Sequence, residues 1–95
     1  MMRDLETLRT ADFAALRGDW FRVTPDDAPP FDAVLVEVTE IARQPGGRSP
    51  FSLVFKGGPS PPLPQRIYRV AHEQLGAIEI FLVPIAADSY EAVFT

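Results

Sequence analysis

The sequence contains no cysteine and only one histidine. Without a thiol the chain cannot form disulfides, and it offers neither a cysteine nucleophile nor a thiolate site for zinc or an iron–sulfur cluster. Basic residues are also scarce: 9 Lys+Arg stand against 13 Asp+Glu, for a net charge of −4. Because nucleic-acid affinity comes mainly from lysine and arginine, this balance excludes a nucleic-acid partner from our expectations.

Long apolar segments are missing as well. The longest runs from Ile80 to Ala87, is interrupted by Pro84, and is far shorter than the ~20 residues that a membrane-spanning helix needs. The first 13 residues mix acids with bases and lack the apolar stretch of a secretion signal. These features predict a cytoplasmic protein with no membrane partner.

Apolar and aromatic residues are plentiful. Of 95 residues, 46% are apolar, and they include seven Phe, two Tyr and one Trp. Since an aromatic side chain buries about 150–250 Å², these residues can form a dense core without a disulfide or a metal. The composition is too apolar for intrinsic disorder, and the length predicts one domain over residues 1–95.

The hydrophobic pattern changes from helical to alternating at Gly18. Thr10 followed by Asp12 is typical of a helix start, and Gly18 stands where a left-handed residue ends a helix, which predicts a helix over about 10–17. Beyond it, alternating runs between Pro- and Gly-rich turns predict six strands, at about 19–24, 33–42, 50–56, 65–72, 77–85 and 89–95. The strand 33–42 alternates with Val34, Val36 and Val38 on one face.

Six strands with short connections favour antiparallel hairpins. An open sheet would leave two unpaired edges, which closure removes. We therefore predict a mainly β fold, a small six-stranded antiparallel β-barrel or roll, with one N-terminal helix as its plug or lid.

The fifth predicted strand has apolar residues on both faces. Ile78, Ile80 and Leu82 form one face, and Phe81, Val83 and Ile85 form the other. Because a strand of a half-solvated sheet should alternate, a second layer must cover it. Two interpretations remain open: the helix covers it through Phe13 and Leu16, or a partner protein does, with the face of Ile78, Ile80 and Leu82 as the interaction surface.

The segment PSPPLPQR at 59–66 carries a second candidate surface. Pro61, Pro64 and Arg66 have the P-x-x-P-x-R spacing of polyproline II ligands. The alternative is a stiff loop that sets the register of the next strand, with Arg66 held in the sheet.

His72 is the only side chain with an ordinary pKa near neutrality. Glu73 is its sequence neighbour, and adjacent residues of a strand point to opposite faces, so the two cannot pair easily. We therefore interpret His72 as a structural residue, bonded to a backbone group at the turn before Gly76.

Other catalytic and metal-binding patterns are lacking. Asp26, Asp27 and Asp32 flank two prolines without the EF-hand spacing, and no serine lies in a G-x-S-x-G elbow. No catalytic, cofactor or metal residues are predicted, and the protein is not expected to be an enzyme. Cross-strand ion pairs are expected among Arg66, Arg69, Glu79 and Glu91.

Five phrases resemble a small bacterial family of domains of unknown function, which is associated with gene neighbourhoods of phage-tail or tail-collar-like proteins. They are ADFAALRGDWFRV at 11–23, PFSLVFKG at 50–57, LPQRIYRVAHEQLG at 63–76, IFLVPI at 80–85 and YEAVF at 90–94. The long Pro-rich 57–64 loop departs from that pattern. The resemblance offers no catalytic residues and implies an accessory or structural module.

These observations favour a non-enzymatic structural or protein-interaction module that binds a partner or itself, in a phage-tail-like or other multi-subunit assembly. The alternative from a different class is a β-barrel that holds a small apolar ligand. Six strands leave little interior room, because about eight are needed to enclose even one small ligand. An enzyme that acts through His72 and a distant carboxylate is a third alternative.

Overall fold

The computed structural model describes residues 8–41 and 50–94 as one short helix and six strands. The elements are α1 (Thr10–Ala14), β1 (Trp20–Thr24), β2 (Phe31–Glu40), β3 (Phe51–Gly57), β4 (Arg66–His72), β5 (Gly76–Ala86) and β6 (Ser89–Phe94). The loop predicted around Pro45, and the predicted strand ends at residues 42 and 95, lie outside the described residues.

The strands close into a barrel in the order β1-β2-β3-β6-β5-β4, and every neighbouring pair is antiparallel. The prediction of a six-stranded antiparallel barrel with one helix is confirmed. The register places Phe51 opposite Phe94 at one end of the barrel, which we call the helix end. Phe31 and Tyr90 lie at the other, which we call the loop end.

The helix is shorter than predicted, and its cap differs. Asp12 supplies the cap: its carboxylate accepts the Arg9 N–H at 2.8 Å, while the Asp12 N–H donates to the Arg9 carbonyl at 3.0 Å. The helix ends at Ala14 because the next turn tightens, with the Leu16 N–H bonded to the Phe13 carbonyl three residues back. Gly18 has φ +94°, the left-handed conformation predicted there.

Phe13 makes the helix a plug. Its side chain is fully buried, and its ring centroid lies 5.8 Å from that of Phe51 and 5.4 Å from that of Phe94. Phe51 and Phe94 stack on each other at 4.6 Å. The helix therefore closes one end of the barrel, and of the two open interpretations the one in which it covers the outer side of β5 does not hold. Phe13 of the helix and Leu16 of the turn after it are buried in the core.

The second strand departs from simple alternation. It starts at Phe31, two residues earlier than expected, because Phe31 already pairs with Val23 of β1. A register shift between Leu35 and Glu37 leaves Val36 as an extra residue. One extra residue exchanges the faces of all that follow. Val34 precedes the shift and alternates with the buried Ala33 and Leu35, whereas Val38 follows the shift and packs against the core. The expectation of three valines on one face is therefore wrong.

Aromatic rings fill the barrel between its two ends. In the middle, the rings of Phe21 and Phe55 lie 5.2 Å apart, edge to face. At the loop end Tyr90 stands 6.0 Å from Phe31 and 6.5 Å from Tyr68. Among the described residues the buried set contains no charged side chain, and no helix has the length and apolar character that crossing a membrane requires.

Removing the plug should destabilise the fold far more than removing an equal ring from the outside. Phe13→Ala leaves a cavity beside Phe51 and Phe94, which we expect to lower the free energy of unfolding by about 3–5 kcal/mol. Phe81→Ala removes the same atoms from a half-exposed site and should cost much less. Urea denaturation of both variants checks this. Equal losses would show that the helix is not a structural plug.

Candidate functional site

The outer side of β4 and β5 carries a cluster of exposed apolar side chains, which we call the outer face: Ile67, Phe81, Val83 and Ile85. Ile67 of β4 lies directly opposite Phe81 of β5, and Val83 and Ile85 follow Phe81 at alternate positions. Their exposed fractions are 61% for Ile67, 50% for Phe81 and 51% for Ile85, while Val83 is half-buried. Adjacent apolar side chains that stay in water are typical of a contact surface.

The predicted surface on β5 lies on the wrong side of the strand. Ile78, Ile80 and Leu82 are buried and point into the barrel. The sequence shows two apolar faces on this strand, but not which one points inward. Barrel closure decides that, because the inward residues pair with inward residues of β4, such as Tyr68 opposite Ile80. The outer face is therefore the accessible one.

Pro84 and a bulge shape the end of the outer face. Pro84 lies opposite Tyr90, Ala86 lies opposite Ser89, and the register shift between them makes Ile85 an extra residue. Proline lacks the N–H that a regular ladder needs, and a bulge is one of the few places in a sheet that accepts it. The bulge leaves Ile85 exposed on the outside.

Charged residues on the same strands differ in part from the expected pairs. Arg69 lies directly opposite Glu79, and Glu91 lies opposite Val83 at the margin of the outer face. Arg66 does not pair with a strand carboxylate. Its Nη1 lies 3.0 Å from an oxygen of Asp27, in the loop between β1 and β2. Charges of both signs therefore lie on the strands of the outer face.

The Pro-rich loop is tied to the loop end of the barrel. The Leu63 N–H donates to the Tyr90 hydroxyl at 2.8 Å, and the Tyr68 hydroxyl donates to the Pro64 carbonyl at 2.6 Å. Pro61 and Pro64 are exposed, but Arg66 is held by Asp27. These bonds favour the interpretation as a stiff loop over that of a free polyproline ligand.

Burial raises the pKa of the Tyr68 hydroxyl above its ordinary value of 10.0. The positive charge of Arg66 acts in the opposite direction, and Tyr90 and Asp27 add to the increase. The uncharged hydroxyl is the form that donates to Pro64. The bond that closes the loop end therefore depends on a protonated Tyr68.

His72 lies at the helix end, where it joins two distant parts of the chain. Its Nε2 is 2.9 Å from an Asp19 carboxylate oxygen, its Nδ1 accepts the Gln74 N–H at 3.0 Å, and its side chain is only 8% exposed. Because Nδ1 accepts a bond, we infer that Nε2 carries the proton and donates to Asp19. Both nitrogens are occupied, so neither is free to take a proton from a substrate.

The bond from Gln74 is the backbone bond expected of His72 at this turn. No local sequence pattern links His72 to its carboxylate partner, Asp19, because the two are 53 residues apart. Asp19 is placed by two bonds between chain segments: Gly18 N–H to the Leu35 carbonyl at 2.7 Å, and Leu35 N–H to the Asp19 carbonyl at 3.0 Å. Only the closing of β1 onto β2 and β4 brings it to His72.

Beside His72 an open groove of about 480 Å³ runs along the outside of β1, β4 and β5. Trp20, 64% exposed, stands at its wall with Arg22, Asp32 and Glu73, and Ala71 and Ala77 are among its other lining residues. Trp20 lies in a predicted strand, but nothing in the local sequence pattern marks it as a binding residue. Within residues 8–41 and 50–94, no three His, Asp or Glu side chains come close enough together to hold a metal ion.

Comparison with known proteins identifies a family. The model of a family described as a domain of unknown function, DUF6916, matches residues 8–94. No curated protein matches the chain, and no solved structure matches it.

Alkaline pH should weaken the fold through Tyr68. The unfolded chain loses the tyrosine proton near pH 10, whereas the folded protein retains it to higher pH. Stability should therefore be full below about pH 10 and fall as the pH rises through the raised folded pKa. Urea denaturation at rising pH measures this, and Tyr68→Phe should show a smaller decline. In Tyr90→Phe, Tyr68 is the only tyrosine, so tyrosinate absorbance then follows its titration alone. An ordinary pKa there would contradict the assignment.

Truncating His72 should cost stability. His72→Ala leaves the Gln74 N–H and the Asp19 carboxylate without their partner, which we expect to lower the free energy of unfolding by about 1–3 kcal/mol. Asp19→Asn keeps an oxygen that can accept from Nε2 and should cost less. Thermal and urea unfolding compare the two variants with the wild type. An undiminished stability of His72→Ala would mean that these bonds contribute nothing.

Proposed function

The chain belongs to the DUF6916 family of domains of unknown function, and we propose that this protein is a non-enzymatic module that binds another protein through its outer face. The observation that supports this most is the exposure of Ile67 and Phe81, which lie opposite each other on two paired strands, and of Ile85 further along β5. The helix closes one end of the barrel, so no element among the described residues covers these side chains.

Burial of this face by a partner would be favourable. Full burial of a phenylalanine or isoleucine side chain stabilises by about 1.5–3 kcal/mol, and each of these three is already half-buried or less. Each would thus add on the order of 1 kcal/mol on binding. Phe81 lies opposite Ile67 and two residues from Val83, and an aromatic side chain of this kind commonly anchors an interface.

The closed barrel limits how a partner can bind. Each of the six described strands is paired on both sides, so a partner cannot add a strand to a free edge as peptides do in β-augmentation. Recognition must come from side chains on the outside. That requirement favours a surface such as the outer face over any backbone-mediated contact.

Two observations disfavour the other classes of function. An enzyme that used His72 would need a free ring nitrogen, and both are bonded, to Asp19 and to Gln74. A barrel that held an apolar ligand would need an empty interior, and here rings occupy the axis from Phe13 to Tyr90. Because side chains fill the interior, we expect binding to occur on the outside of the barrel.

We extend the proposal to the setting of the interaction. The phrases at 63–76 and 80–85 support a place in a multi-subunit assembly, of the phage-tail-like kind that the resemblance implies. In such an assembly the module would serve as a structural component, with the outer face turned toward a neighbouring subunit or a second copy.

Polar substitutions on the outer face test the proposal. Phe81→Ser combined with Ile67→Thr should leave the barrel folded, because both side chains are half exposed or more. Tagged wild-type protein should capture a specific partner, or itself, from its own host, and the double variant should lose it. The single variant Ile67→Thr serves if the double variant fails to fold.

Val36→Thr is the matched control for this experiment. It is exposed and lies on β2, three places from β5 in the barrel order, so it should retain the partner. Light scattering after size-exclusion chromatography gives the oligomeric state. A strict monomer at high concentration, with the same proteins captured by the wild type and the double variant, would contradict the proposal.

A further inference from the structure

We propose that the groove beside Trp20 binds an arginine side chain of a protein partner. This inference deepens the proposed function, since it rests on the protein being an interaction module, but it concerns a second surface with different chemistry. We refer to it as the Trp20 groove. It is lined by residues of β1, of β4 and the turn after it, of β5 and by Asp32 of β2.

Small residues give the groove its shape. Ala71 of β4 lies opposite Ala77 of β5 on one side and opposite Arg22 of β1 on the other. Gly76 lies opposite His72 at the end of the same two strands. Short side chains at these positions leave a depression between Trp20, Arg22 and Glu73, and its volume of about 480 Å³ accommodates a long side chain.

Trp20 supplies a face for a flat cation. It is the only tryptophan of the chain, it is 64% exposed, and it lines the groove. An indole ring is the aromatic group that attracts cations best. A guanidinium is planar and weakly hydrated, so it stacks on such a ring more readily than the compact ammonium of lysine.

The charges of the groove also select a cation. Arg22 and Asp32 are bonded to each other, with Nε 2.8 Å from the carboxylate oxygen, so they neutralise one another. Glu73 is exposed, and it has no ion-pair partner among residues 8–41 and 50–94. One uncompensated carboxylate thus stands on the same groove as the indole, an arrangement that favours a positively charged group over an anion.

The combination distinguishes arginine from other occupants. A metal ion would need several converging ligands, and the described residues form no such group. A neutral sugar ring could stack on Trp20, but it would gain nothing from the charge of Glu73. An arginine side chain uses both features at once: its guanidinium stacks on the ring and pairs with the carboxylate.

Fluorescence of Trp20 provides the test, because the only tryptophan lies in the groove itself. The full chain is titrated with a blocked Gly-Arg-Gly peptide, and with the matched peptides in which citrulline or lysine replaces arginine. We expect a saturable change with the arginine peptide, and binding about fivefold weaker or worse for the neutral citrulline peptide. Added salt should weaken the arginine complex.

Glu73→Gln is the deciding variant. It removes the charge from an exposed side chain and keeps its shape, so the fold should be unaffected and arginine affinity should fall by about fivefold or more. Glu91→Gln makes the same change on β6, across the barrel from β1, and should bind like the wild type. Equal binding of the arginine and citrulline peptides, full affinity of Glu73→Gln, or no saturable change with any peptide would overturn the proposal. Lysine binding as tightly as arginine would overturn the assignment to a guanidinium.

The two proposals can fail separately. The outer-face variant with Phe81→Ser and Ile67→Thr should keep its affinity for the arginine peptide, because neither residue lines the Trp20 groove. If that variant loses partner capture but the wild type does not bind the arginine peptide, the proposal for the Trp20 groove is overturned and that for the outer face is not. If the wild type binds the arginine peptide but captures no partner, the proposal for the outer face is overturned and that for the Trp20 groove is not.

Discussion

Filling the inside of a six-stranded barrel is the constraint on which the rest of this structure depends. So few strands enclose a space that only side chains can occupy, and without cysteine the core has no disulfide to reinforce it. The chain meets this need with rings, above all where Phe13 closes over Phe51 and Phe94. Because the helix is used as that plug, it is not available to cover a second apolar surface elsewhere.

The exposed outer face is the direct consequence of this arrangement. On β5 the inward positions belong to the core, so Phe81 and Ile85 have only solvent or a partner to face. Closure also pairs every described strand on both sides, so the binding that we propose depends on side chains and not on a free strand edge. The apolar outer face lies on β4 and β5, and the polar Trp20 groove extends from these two strands to β1. This side of the barrel therefore concentrates the features that favour binding.

Long-range bonds fix the two ends of the barrel. At the helix end His72 joins Asp19 to the turn at Gln74, and at the loop end the hydroxyls of Tyr68 and Tyr90 hold the Pro-rich loop. These polar side chains stabilise the fold, and both ring nitrogens of the single histidine are occupied by such bonds. The ends are thus closed by hydrogen bonds as well as by rings.

The alternation of apolar residues and the turn signals were sufficient to predict six antiparallel strands, closure and the N-terminal helix, because these follow from local periodicity and from the cost of unpaired edges. Local patterns could not show which side of β5 points inward, and so Ile78 was mistaken for a surface residue. Nor could they show the bulge at Val36, which exchanges the faces of β2. The nearness of His72 to Asp19, and of Trp20 to Glu73, arises only when distant strands meet. Sequence periodicity thus determined the elements, whereas barrel closure decided which side chains share a surface.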